Sequence, residues 1–120
     1  MDRFAIVTVP ALGGAERILA EVAISERHDS GLSDLSWSPD GSSLALSYRP
    51  EDEEEAKVFT LEIDTGRMKP LSTPPAGSYG DYAAQYSPDG KRIAFFRRTS
   101  YASWDLYTQS LSGKGANRLT

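Results

Sequence analysis

One tetrapeptide occurs twice, and it sets most of what this chain can become. Ser38-Pro39-Asp40-Gly41 recurs 49 residues later as Ser87-Pro88-Asp89-Gly90. An aromatic precedes each copy, Trp37 and Tyr86. An apolar run follows each, Leu44-Ala45-Leu46 and Ile93-Ala94-Phe95. Arg49 and Arg98 fall at the same offset. Proline presets φ at about −65° in the second turn position, aspartate suits the third, and glycine accepts the positive φ that follows. Such a turn closes a three-residue hairpin with a bulge, so the flanking segments are predicted strands.

The second half of the unit repeats as well. Val58-Phe59-Thr60-Leu61-Glu62-Ile63 leads through Gly66 to Pro70-Leu71-Ser72. Leu106-Tyr107-Thr108-Gln109-Ser110-Leu111 leads through Gly113 to Arg118-Leu119-Thr120. A third copy of this half opens the chain, from Ile6-Val7-Thr8-Val9 through Gly13-Gly14 to Ile18-Leu19-Ala20. Phe59, Leu61 and Ile63 alternate with Thr60 and Glu62, the period of a strand with one more buried face. No segment sustains helical spacing, and the nearest, 11–23, holds Gly13-Gly14.

Each unit therefore reads as strand, tight hairpin, strand, variable loop, strand, glycine turn, strand. Four antiparallel strands in roughly 40–50 residues make one blade of a β-propeller. The fold class is all-β, about two and a half blades of an incomplete propeller. Strands are expected over 3–9 and 15–20, then 32–37, 43–49, 56–63 and 67–72, then 81–86, 92–98, 104–111 and 116–120. The division is 1–20 as the last two strands of a blade, 21–31 as linker, and 32–73 and 74–120 as full blades. Ala23-Ile24-Ser25 is open to reading as a short added strand.

These residues resemble the TolB-type, WD-repeat-like propeller repeats. The resemblance rests on Trp37-Ser38-Pro39-Asp40-Gly41 with Leu44-Ala45 after it, on Tyr86-Ser87-Pro88-Asp89-Gly90 with Ile93-Ala94-Phe95 after it, and on Arg118-Leu119-Thr120 at the unit's end. Val9-Pro10-Ala11-Leu12-Gly13-Gly14 and Gly80-Asp81-Tyr82 look like the propeller regions of bacterial winged-helix regulators or kinases. The same repeats occur in the propellers of prolyl-oligopeptidase-like hydrolases, so fold alone does not choose a function. The resemblance implies a non-catalytic scaffold for a protein or small-ligand partner, within a larger bacterial protein. It implies the periplasm where it extends to the parent protein, and otherwise the cytoplasm. A propeller of this family has about six blades, so the chain is read as a piece of a longer one, or as one that self-associates through exposed blade faces.

Composition narrows the partners. The chain has 120 residues, with 17 acidic against 13 basic and a net charge of -4. That argues against direct nucleic-acid contact, which needs a clustered basic surface, and against docking on anionic lipid. No apolar run approaches the ~18 residues of a membrane span, and the first residues lack a secretory pattern. Cysteine is absent, which excludes disulfides and thiolate metal sites.

No catalytic constellation, cofactor motif or metal set emerges. His28, the one histidine, sits among Glu26, Arg27 and Asp29 and reads as a surface-loop residue. There is no Gly-x-Ser-x-Gly elbow, and Gly113-Lys114-Gly115 lacks phosphate-loop spacing. Asp40 and Asp89 raise a calcium reading, but their setting suits turns better. Glu51 through Glu55 read as a solvated inter-strand loop. The candidate partner-binding residues are Tyr79, Tyr82, Arg97, Arg98, Tyr101 and Trp104. They lie at strand starts or in loops, and aromatics with arginine are the usual stuff of binding hot spots.

Overall fold

The computed structural model describes residues 2–24, 35–113 and 115–120; His28 lies outside them. Among the described residues, ten strands form three antiparallel sheets. A two-stranded sheet pairs β1 (Asp2–Thr8) with β2 (Arg17–Ile24). The second sheet runs in chain order through β3 (Ser36–Trp37), β4 (Ser43–Tyr48), β5 (Lys57–Glu62) and β6 (Met68–Pro70). The third runs β7 (Gly80–Tyr86), β8 (Arg92–Ser100), β9 (Ser103–Ser110) and β10 (Ala116–Arg118). Four-stranded meanders stacked face to face are propeller blades, and the described residues do not close a ring.

The two proline turns nucleate as the sequence requires. Gly41 N donates to Ser38 O, and Gly90 N donates to Ser87 O, both at 2.9 Å. Both glycines have positive φ. Several expected strand ends shift by a residue or two, and the end of the second strand shifts further. β2 runs on to Ile24, into the expected linker, because Glu21 to Ile24 pair with Ala5 to Asp2 along β1. The rest of that linker lies outside the described residues.

Strand alternation builds two cores, one at each seam. Leu44, Leu46, Tyr48, Phe59 and Leu61 pack with Ile6, Leu19 and Val22 of the half-blade. The intervening Ala45 and Val58 pack with Ala84, Ile93 and Phe95 of the second full blade. The middle sheet is thus covered on both faces, which is why β4 carries a continuous apolar run. Leu46, Leu61, Val58, Ile93 and Phe95 are fully buried, each stabilising by about 1.5–3 kcal/mol.

Backbones approach closely at both seams, and only glycine permits it. A Cβ at Gly66 would lie 2.4 Å from Leu19 O, and one at Gly80 would lie 2.5 Å from Ala56 N and O. Gly80 pairs with Ala56 across the seam, and Asp81 N donates to Ala56 O at 2.9 Å. Gln109 Nε2 ties the same two blades by donating to Leu71 O at 2.6 Å.

Candidate functional site

The register of β7 and β8 decides which side chains meet. Tyr82 pairs with Phe96 and Gln85 with Ala94, so Ala83 and Ala84 together oppose Phe95. That is a β-bulge, with Ala83 at φ 56°. The extra residue re-aims the strand. Asp81 turns inward opposite Arg97, and Tyr82 turns to the outer face of the last sheet.

Arg98 and Trp104 are cross-strand partners on that outer face. The Arg98 guanidinium lies 4.5 Å from the Tyr79 ring centroid, 4.9 Å from Trp104 and 5.2 Å from Tyr101. Its Nη2 donates to Tyr101 O at 3.0 Å. The ring faces carry negative potential, so each attracts the cation. Tyr82 supports the cluster from beneath. It is buried, its ring sits 5.8 Å from Trp104, and its hydroxyl donates to Tyr79 O at 2.7 Å. Tyr101 is 79% exposed, Trp104 49% and Tyr79 41%. Phe96 extends the same apolar face.

Five of the six candidates therefore converge, and Arg97 does not join them. Neighbouring strand residues point to opposite faces, so Arg97 projects into the blade seam. Its Nε and Nη2 grip the fully buried Asp81 carboxylate at 2.7 and 3.0 Å. Its guanidinium also lies over Phe95 and Tyr107. Burial lowers the Arg97 pKa, but the hydrogen bond and charge of Asp81 more than offset that and raise it. Arg97 is held in the seam by Asp81, apart from the other five candidates.

The turn aspartates are committed locally. Asp40 accepts from Ser42 N at 3.0 Å and from the Ser38 and Ser42 hydroxyls at 2.7 Å. The Ser42 amide, with those hydroxyls, holds its pKa down at about 2. Asp89 accepts from Ser87 Oγ at 2.6 Å and Lys91 N at 2.9 Å, and the serine bond chiefly lowers its pKa. Both carboxylates do turn work. No group of three or more His, Cys, Asp or Glu among the described residues is placed to hold a metal ion.

Sequence reasoning missed two features, the buried Asp81–Arg97 pair and a cavity of about 260 Å³ beside Arg49.

Two TolB proteins of the Tol-Pal system, from Anaeromyxobacter dehalogenans strains 2CP-C and 2CP-1, are each 33% identical over 116 residues, or 96% of this chain. A solved TolB structure from Agrobacterium tumefaciens superposes with a TM-score of 0.72 at 25% identity, covering 97% of this chain and 37% of that one. The chain is made of TolB-type propeller repeats. It spans about a quarter of the curated TolB relatives it matches, 24% of their length. No protein-family model matches it. The β-propeller domain of the Trilobed protease from Pyrococcus furiosus shares the fold at a TM-score of 0.66 and 12% identity, over 96% of this chain and 33% of that one. A prolyl endopeptidase does so at 0.70 and 12%, over 97% and 18%. Those two likenesses speak to the β-propeller fold alone.

Proposed function

We propose that this TolB-type segment is a protein-binding scaffold and that Tyr79, Arg98, Tyr101 and Trp104 form its contact patch. The observation that supports this reading is the stacked arginine–aromatic cluster standing half-exposed on a rigid sheet. Its rotamers are fixed by mutual packing, so little conformational entropy is lost when a partner covers it. Aromatics and arginine in such a setting are typical binding anchors. The fold is the kind that presents loops from rigid blades. The Tol-Pal relatives make a protein partner in an envelope assembly the natural reading, and the periplasm the natural compartment. The aromatic contacts act without catalysis, by burying ring area around a cation that stays paired to its rings.

The test is chemical cross-linking of the tagged chain in the bacterial envelope, followed by identification of the joined species. A Tyr101→Ala, Trp104→Ala double variant is expected to lose the main cross-linked protein at least tenfold while keeping its sheet circular dichroism. Retention of that species at wild-type yield overturns the patch.

A further inference from the structure

The patch around Arg98 has an unequal hydrogen-bond balance. Its side-chain donors are open to solvent. The Trp104 indole N–H and the Tyr79 and Tyr101 hydroxyls have no hydrogen-bond partner among the described residues. Its backbone acceptors are engaged. Tyr101 O accepts from Arg98 Nη2 at 3.0 Å, and Tyr79 O accepts from the Tyr82 hydroxyl at 2.7 Å. Asp105, next along β9, lies opposite Arg97 and accepts from Arg118 Nη2 and the Thr120 hydroxyl, both at 3.2 Å. Alternation sends its carboxylate to the other face of the sheet.

A partner for this surface has to bring acceptors, few donors, and apolar faces for the exposed rings of Tyr79, Phe96, Tyr101 and Trp104. An ordinary extended segment carries one N–H per residue, and each needs an acceptor once it is covered. Strand addition has no place here, because β8 and β9 are interior strands paired on both edges. Net charge is disfavoured in either sign. Glu55 Oε1 accepts from Gly77 N at 2.8 Å, two residues before Tyr79, which brings the acidic loop over 51–55 beside the patch and repels an acidic segment. A basic segment meets the Arg98 guanidinium at the centre of the rings. Proline answers each demand, since it lacks the N–H, keeps the carbonyl and adds an apolar ring.

We infer that the patch takes a neutral, proline-rich segment of its protein partner in the polyproline II conformation. The prolines lie against the rings, and their carbonyls accept from the Trp104 indole and the two tyrosine hydroxyls. The inference rests on the reading of this patch as the contact surface. A polyproline II segment has no internal hydrogen bonds and is set in shape before it docks. It meets rings already fixed by packing on Arg98, so neither side loses much conformational freedom.

The test is a titration of the isotope-labelled 120-residue chain by nuclear magnetic resonance. The reporter is the Trp104 indole N–H, with that of Trp37, also half-exposed but on the other full blade, as the internal reference. The probes are end-capped octamers: octaproline, alternating glycine–serine, octalysine and octaglutamate. Octaproline is expected to shift Trp104 saturably and leave Trp37 in place, and the other three are expected to bind at least tenfold more weakly. Tyr101→Phe, which keeps the ring and removes a donor, is expected to weaken octaproline several-fold with an unchanged melting temperature. No saturable Trp104 shift with octaproline, or binding of any other octamer as tight, overturns the proline assignment. Where octaproline fails but the Tyr101→Ala, Trp104→Ala double variant still loses its cross-linked protein, this inference falls and the patch stands. Retention of that protein at wild-type yield overturns both.

Discussion

The two full blades share a turn motif, a strand order and an arginine at the same place, yet their second strands live differently. β4 is buried at every position from Leu44 to Tyr48, and Arg49 beyond it is buried too. β8 alternates, with Ile93, Phe95 and Arg97 buried and Phe96 exposed. The cause is stacking. The first full blade has a sheet on each side, and the second has one on a single side among the described residues. A repeat unit thus fixes its own hairpins, while the neighbours decide what its faces do. The outer face of the second full blade holds the proposed contact patch, and the seam between the full blades holds the arginine cavity.

The contrast between the two faces of β8 gives the largest expected effect. Asp81→Ala leaves the Arg97 charge buried without its partner, which costs about 3–5 kcal/mol in urea unfolding. Arg98→Ala, one residue along on the outer face, is expected to cost about 1 kcal/mol, the scale of a partly exposed cation–π contact. Similar losses for the two would erase the distinction between the faces.

The seam itself comes next. Gly80→Ala drives a Cβ against the Ala56 backbone at a φ of +110°, and is expected to cost about 3 kcal/mol or more. A Cβ at Gly113 would meet nothing within 4 Å, so Gly113→Ala is expected to cost only about 1 kcal/mol from its positive φ. Thermal melts of the pair separate close approach from conformation.

A smaller effect sharpens the bulge. Ala83→Gly removes a left-handed strain from a non-glycine residue, and the greater freedom of glycine in the unfolded chain works against that gain. The net change is expected to lie within about 1 kcal/mol. Ala83→Val, β-branched at positive φ, is expected to destabilise clearly.

The acid limb compares the two turns. Asp40 titrates at about 2, below its ordinary 3.8. Its stabilising contribution is therefore present above about pH 4 and is lost as pH falls towards 2. Asp40→Ala is expected to flatten that part of the stability profile. Asp89→Ala acts in the same direction, with two turn bonds to lose where Asp40 has three.

The fold was legible because the hairpin chemistry is local. Ser-Pro-Asp-Gly names its own turn, and Phe59-Thr60-Leu61-Glu62-Ile63 shows its own period. The patch was legible in part, since Tyr79, Tyr101 and Trp104 announce themselves by residue type. The place of Arg97 was legible in principle, because alternation sends it away from Arg98. Its partner was not. Asp81 faces inward only through the bulge at Ala83, and nothing in the sequence marks an extra residue there. The Arg49 cavity was not legible, because its walls come from the loop from Pro50 to Glu55 and from Gly77 to Tyr79, which only the packing of the two blades brings together. β2 outran its expected end for a like reason, because its last residues are held by pairing and not by pattern.

The central proposal is that the outer face of the second full blade is where this chain meets a protein. A photo-reactive amino acid placed at position 101, and separately at Asp64 on the covered blade, tests it most directly in cells. Irradiation is expected to join position 101 to a discrete protein species and to leave position 64 without one. Equal yields at the two sites, or no adduct at 101, would contradict the account.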